Sequence, residues 1–367
     1  MNILVASDKF KGSLTAKEAC RAISEGLNAG SPRRDLHIES IPIADGGDGL
    51  AHSLTGFCGG KWVELEVNNA LGAPIEAGYG IIDQGKTAVI EMATASGLAM
   101  LSPEERDPLH ANTFGTGELI RSALSQGVTK IILGIGGSAT NDGGTGMVLA
   151  LGWRFLNDRG EEIIDLPHRL KDVVEIHPPQ GPPLPPVLVA CDVINPLLGP
   201  EGCTRVYGPQ KGIAEDQFPL HEERLNHLVS LLGAEAQANE AGSGAAGGLG
   251  FGSLVFLAAT LTPGFELVSE LLGIEAAIER ADLVITGEGS LDRQSLEGKA
   301  PFGVATLAKK HGKSIVTFCG ISEDNLEDSF GEIIEIRNPD EPLETNMSNG
   351  KSNLRSAASS FAGRSLT

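Results

Sequence analysis

Between Gly134 and Gly146 the chain reads GIGGSATNDGGTG: six glycines, hydroxyls at Ser138, Thr140 and Thr145, an amide at Asn141 and a carboxylate at Asp142. Glycine lets backbone N–H groups turn toward an anion. The apolar run Met147–Leu151 that follows predicts a helix, whose N-terminus adds partial positive charge. This pattern points to phosphate or anionic-substrate binding through Gly136, Gly137, Ser138, Thr140, Asn141 and Gly143. The order G-x-x-x-x-G-K-[ST] is absent, so the segment is not a standard P-loop. The plain alternative is a glycine-rich turn that packs a helix against a sheet. The density of hydroxyls beside an acid favours a ligand.

Other loops carry related chemistry. Asp45-Gly46-Gly47-Asp48-Gly49 sets two carboxylates on a tight turn, which suits Mg²⁺, an ion that takes few protein carboxylates and completes its shell with water and phosphate. The alternative is an aspartate turn serving its own backbone. The remaining ligands of an EF-hand are missing. In Ser7-Asp8-Lys9-Phe10-Lys11-Gly12-Ser13, Lys9 and Lys11 could hold phosphates and Asp8 could accept a proton; a solvated loop explains the residues equally well. Gly287-Glu288-Gly289-Ser290-Leu291-Asp292, followed by Gly298 and Lys299, repeats the combination of acid, base and glycine. Asp192, just past the apolar Val187–Ala190, is a general-base candidate whose alternative is a cap or turn. None of the eight histidines has a catalytic or metal-binding spacing.

The elements that must position these loops follow from periodicity. Ile3–Ala6 predicts a buried strand. Ser13 or Thr15 then caps a helix with apolar positions at Leu14, Ala19, Ile23 and Leu27, and His37–Ile43 reads as a second strand. This opening is the β–α–β unit of an α/β sheet. After a helix over Leu50–Phe57, three closely spaced strands (Trp62–Val67, Pro74–Ile82, Thr87–Met92) leave no room for crossover helices and predict an antiparallel meander. A helix over Gly117–Ser125 and a strand over Lys130–Leu133 follow. The changed grammar predicts a domain inserted into the first. We expect one discontinuous domain over 1–46 and 184–367, an insert over 47–183, and the proline-rich Pro178–Pro186 as the linker between them. Further on, helices are expected over Leu220–Ala234 and Phe302–His311, and strands over Asp282–Thr286 and Ser314–Phe318. The polar tail beyond Glu341 predicts one weak helix and a frayed end. Several strands end in small or acidic residues, and in open α/β sheets ligands lie beyond the carboxyl ends of strands.

Composition narrows the function. At 367 residues the chain is long enough for two domains, and its 41% hydrophobic content is that of a globular protein. A net charge of −20 opposes nucleic-acid binding, which needs a basic face. Five cysteines without C-x-x-C spacing fit a reducing cytoplasm rather than a disulfide framework. No signal-peptide pattern opens the chain, and no apolar run is long enough to span a membrane.

Eight segments together resemble the class I glycerate kinases: SDKFKGSLTAKEA from Ser7, PIADGGDG from Pro42, EMATASGL from Glu91, TFGTGELI from Thr113, GIGGSATNDGGTGM from Gly134, CDVINPLLGPEG from Cys191, GSGAAGGLGFG from Gly242 and ITGEGSLDRQSLEGKAP from Ile285. The resemblance runs in order over about residues 1–320. It implies two α/β domains, one flavodoxin-like and one resembling restriction endonucleases. It implies a cytoplasmic kinase that uses ATP and Mg²⁺ to phosphorylate glycerate, with 2-phosphoglycerate the usual product and 3-phosphoglycerate the alternative within the family name. On this basis Asp192 or Asp8 is expected to accept the hydroxyl proton, and Lys9, Lys11 and the Gly136–Gly143 loop to hold phosphates. Asp45, Asp48 and Glu288 are expected at Mg²⁺, and Arg293 and Lys299 are the candidates for the substrate carboxylate, which a bidentate guanidinium matches well. A homo-oligomer is compatible with these features. A nucleotide- or metabolite-sensing regulator is the rival from another class; the acid-tipped loops favour catalysis over it. A dehydrogenase is disfavoured, because no G-x-G-x-x-G opens the first helix.

Overall fold

The computed structural model describes residues 1–43, 49–296 and 299–366, the side chain of residue 294 excepted. Its strands in chain order are β1 (Asn2–Val5), β2 (His37–Ser40), β3 (Lys61–Asn68), β4 (Pro74–Ile82), β5 (Thr87–Glu91), β6 (Lys130–Gly134), β7 (Arg154–Leu156), β8 (Glu175–His177), β9 (Val187–Ala190), β10 (Thr260–Thr262), β11 (Leu283–Leu291), β12 (Ser314–Ser322) and β13 (Glu332–Glu335). With the helices between them they make an α/β protein of two compact units. Met1–Asp45 joins Phe265–Thr367 in one, and Gly46–Gly264 forms the other.

The first unit is built on a five-stranded sheet of order β2-β1-β11-β12-β13, with every pairing parallel. Numbered within the unit this is 2-1-3-4-5, the order of flavodoxin-like sheets. Helix Ala16–Gly30 covers one face. Thr15 caps it: its Oγ1 accepts from Glu18 N at 3.2 Å, and Glu18 Oε2 accepts from Thr15 N at 3.0 Å. This reciprocal pair satisfies two of the N–H groups that a helix start leaves open. Ala19, Ile23 and Leu27 bury beneath it against Ile3, Val5, Leu283 and Phe318. The tail departs from expectation. It forms helices Leu343–Ser348 and Gly350–Ser365, the second burying Leu354, Ala358, Phe361 and Ala362. This helix packs so closely on Ala16–Gly30 that a Cβ at Gly26 would strike the Arg355 carbonyl and one at Gly30 the Ser359 carbonyl.

The second unit holds a six-stranded sheet of order β10-β9-β6-β5-β4-β3 and a small β7-β8 hairpin. β3, β4 and β5 pair antiparallel, as the short connections require, while β5, β6, β9 and β10 pair parallel. The return to the first unit therefore lies at 265, not at 184. Val187–Ala190 looks like any buried strand in sequence, but it pairs with β6 and stays in the second sheet, so Pro178–Pro186 is a loop within that unit. Buried Ile90, Ile131, Leu133 and Val189 form the sheet's contribution to the core, with Leu119, Met147, Leu225 and Phe251 packed in from helices. No described helix is long and apolar enough to cross a membrane.

Candidate active site

In the second unit the register aligns the ends of the parallel strands. Glu91 stands opposite Gly134, Gly134 opposite Ala190, and Thr262 opposite Ala190. The loops that leave this edge meet in a cavity of about 270 Å³ walled by Gly136, Gly137, Ser138, Asp192, Tyr207 and Lys211 among others. Gly137 has φ +72°, in the left-handed region open to glycine. Lys211, only 2% exposed, donates from Nζ to Ser138 Oγ and to Thr140 O, both at 2.7 Å. Its pKa is lowered to about 8 by burial, against the pull of Cys203 and Asp142. A desolvated ammonium at a glycine-rich turn is a strong anion-binding group, because little water competes for its charge.

Asp192 follows β9 and lines the same cavity; its Oδ1 accepts from the backbone N–H of Gly264 at 2.7 Å. Cys191 beside it keeps its proton: burial raises the thiol pKa, and Sγ donates to Val193 O at 3.4 Å. Thiolate chemistry is therefore disfavoured here.

The glycine-rich loop divides in two. Gly136, Gly137 and Ser138 face the cavity, whereas Thr140, Asn141 and Gly143 are not among its walls. The Asn141 amide donates to Thr204 Oγ1 at 3.1 Å, and Gly143 N donates to Gly247 O at 3.0 Å. Asp142, fully buried, accepts from Thr113 N and Oγ1 (2.9 and 2.7 Å), Gly144 N (3.0 Å) and Gly146 N (3.0 Å). Burial raises its pKa while these donors oppose the rise. Asp142 thus latches the loop to the segment before helix Phe114–Ser125 and leaves its first half poised over the cavity. Glu91 similarly anchors the start of helix Leu50–Phe57, accepting from the N–H groups of Gly49, Leu50 and Ala51 at 2.7, 3.2 and 3.0 Å.

The first unit carries a second cluster at its sheet edge. Asp8 N and Ser7 Oγ donate to Gly287 O at 2.9 and 3.1 Å. This places Asp8 beside the Gly287–Gly289 stretch of β11, and both Asp8 and Glu288 are about nineteen-twentieths buried, at 5% and 6% exposure. Lys299 Nζ lies 3.8 Å from Glu288 Oε2 and 3.7 Å from Asp292 Oδ1. Lys9 N donates to Asp8 Oδ1 at 2.6 Å; Lys11 and Arg293 are exposed. Two buried carboxylates supply the hard oxygen donors that Mg²⁺ takes, so this cluster fits that ion. Asp45 and Asp48 lie outside the described residues.

Sequence reading did not single out Lys211. It sits in a short 3-10 turn, Pro209–Lys211, ahead of Gly212 at φ +95°. A lone lysine between glycines was the only local signal.

Known proteins resemble the chain along its whole length. A sequence profile described as the Glycerate kinase family matches residues 3–365. A glycerate kinase of Halalkalibacterium halodurans is 41% identical, covering 98% of this chain and 97% of that one. A glycerate 2-kinase of Escherichia coli (strain K12) is 42% identical over 89% of this chain and 87% of its own. The crystal structure of a protein assigned as glycerate kinase 2 of Salmonella typhimurium LT2 superposes with a TM-score of 0.89 at 38% identity, covering 99% of this chain and 97% of that one. The acid-tipped loops at the strand ends are accordingly those of an enzyme: the chain belongs to the glycerate kinase family, phosphotransferases with an alcohol group as acceptor.

Proposed function

We propose that the chain transfers the γ-phosphoryl group of ATP to the 2-hydroxyl of D-glycerate, giving 2-phosphoglycerate and ADP. One observation carries the reading: the cavity of the second unit places a buried ammonium, Lys211, with the Gly136–Ser138 turn and the Asp192 carboxylate. The likeness to a glycerate 2-kinase at 42% identity supports the choice of hydroxyl.

Phosphoryl transfer asks for alignment, charge neutralisation and a group that orients the nucleophile. In this reading Lys211, Ser138 and the N–H groups of Gly136 and Gly137 hold an anionic group of the reactants. Asp192 accepts the proton from the attacking hydroxyl. In the first unit Lys9, Lys11, Arg293 and Lys299 attract phosphate or carboxylate. Asp8 and Glu288 would hold Mg²⁺, an ion for which the sequence also offers Asp45 and Asp48. When bound, the ion neutralises phosphate charge. The reducing cytoplasm suits the five cysteines, all free thiols, and the net charge of −20 leaves nucleic acid out of the partners.

Steady-state ADP release with ATP, Mg²⁺ and three acceptors tests the reading: D-glycerate, D-lactate with only the 2-hydroxyl, and 3-hydroxypropanoate with only the 3-hydroxyl. Turnover with D-glycerate and slower turnover with D-lactate is expected. Turnover of 3-hydroxypropanoate but not lactate would move the reaction to the other hydroxyl. ATP binding without ADP release would point to a sensor.

A further inference from the structure

We propose that the second unit carries a surface site for a divalent transition-metal ion such as Zn²⁺, held by His110, His168 and Asp165 and unconnected with the Mg²⁺ of phosphoryl transfer. Two turns of the same construction make it: Asp107-Pro108-Leu109-His110 and Asp165-Leu166-Pro167-His168. In each the imidazole reaches back to the aspartate three residues before it. His110 Nδ1 lies 2.8 Å from Asp107 Oδ2, and His168 Nδ1 lies 3.0 Å from Asp165 Oδ2. The spacing within either turn gives no metal signature, and 58 residues separate the two histidines, which is why sequence reading dismissed them.

The fold brings the turns face to face. The two imidazole centroids are 4.6 Å apart at an interplanar angle of 35°. One nitrogen of each histidine and one carboxylate oxygen of Asp165 lie within 4.8 Å of one another. A tetrahedral Zn²⁺ with bonds of about 2.0–2.1 Å needs its donors about 3.3 Å apart, so side-chain rotations of about 1.5 Å or less close the set. Asp107 stands behind the Nδ1 of His110, the carboxylate–histidine pairing that fixes an imidazole's tautomer and turns Nε2 toward a metal. No described residue hydrogen-bonds to His110 Nε2, and His168 Nδ1 already faces the Asp165 oxygen that would share the ion with it. All four side chains are 43–50% exposed, so water can complete the shell. Nitrogen donors with one carboxylate suit Zn²⁺, Cu²⁺ or Ni²⁺ better than Mg²⁺ or Ca²⁺. An ion here would tie the 107–110 turn to the 165–168 turn.

The test uses the full chain, stripped of metal and held in excess Mg²⁺, titrated with ZnCl₂ by calorimetry. One saturable site per chain is expected. His110→Ala with His168→Ala should abolish it, and Asp107→Asn should weaken it by about 10–100-fold, as loss of an orienting carboxylate does. Zn²⁺ should raise the melting temperature of the wild type but not of the double variant. If the double variant fails to fold, the visible spectrum of the Co²⁺-loaded wild type decides: nitrogen and oxygen ligation shows weak d–d bands, whereas an intense near-ultraviolet band would reveal thiolates and overturn the assignment. No saturable Zn²⁺ binding by the wild type, or the same isotherm from a folded double variant, would also overturn it.

Discussion

Replacing Lys211 with methionine separates its catalytic value from its cost to the fold. The side chain is 2% exposed, and its pKa falls from the ordinary 10.5 to about 8 through burial. At 1.36 kcal/mol per pKa unit, holding the ammonium charged in the folded protein costs roughly 3 kcal/mol. The folded pKa lies below the unfolded one, so unfolding takes up a proton between about pH 8 and 10.5, and stability rises with pH across that window. Lys211→Met removes this cost at pH 7. It also leaves Ser138 Oγ and Thr140 O without their donor, which returns about 1–3 kcal/mol. Urea unfolding at pH 7 should therefore find the variant as stable as the wild type or up to about 2 kcal/mol more so, without the wild type's gain in stability at alkaline pH. Activity moves the other way. Loss of a preorganised charged donor at an anion should lower kcat/KM by about 10²–10³-fold. In the wild type, kcat/KM, which reports the free enzyme, should fall above about pH 8 as the ammonium loses its proton. A folded Lys211→Met enzyme with wild-type kcat/KM would refute the assignment. So would a wild-type profile that stays flat through this range, once the stability of the coupling enzymes has been controlled.

Three further outcomes follow from named contacts. Asp192→Asn should lower kcat by about 10²-fold or more, with little change in thermal stability, if this carboxylate accepts the hydroxyl proton; near-normal turnover would exclude the role. Asp142→Ala strands the four donors of Thr113, Gly144 and Gly146 in the interior and should cost about 3–5 kcal/mol by denaturant unfolding; a loss below about 1 kcal/mol would mean that the latch is idle. Ending the chain after Asn349 removes the buried Leu354, Ala358, Phe361 and Ala362 and should destabilise the first unit by several kcal/mol; an unchanged calorimetric melting profile would contradict the packing seen here.

The α/β class and most elements were legible because their periodicities are local. Pro74–Ile82 and Val187–Ala190 fall where the pattern puts them, and the meander follows from connections too short for helices. The domain return was not legible, since a buried apolar strand reads the same whichever sheet accepts it. The final helix was undervalued: its stripe at Leu354, Ala358, Phe361 and Ala362 is narrow, and serines fill the rest. At the site, the glycine-rich loop announced itself by composition. Which of its side chains face the cavity depends on partners far away in sequence: Thr113 holds Asp142, and Thr204 holds Asn141. Lys211 stayed hidden for the same reason, its two acceptors lying 71 and 73 residues earlier.

The most direct test of the account follows the phosphorus spectrum of the purified protein with ATP, Mg²⁺ and D-glycerate. Growth of a phosphomonoester resonance that matches added 2-phosphoglycerate, in step with ADP, is the predicted result. A resonance matching 3-phosphoglycerate would contradict the choice of hydroxyl, and folded protein that forms neither ADP nor phosphomonoester would contradict the proposed reaction itself.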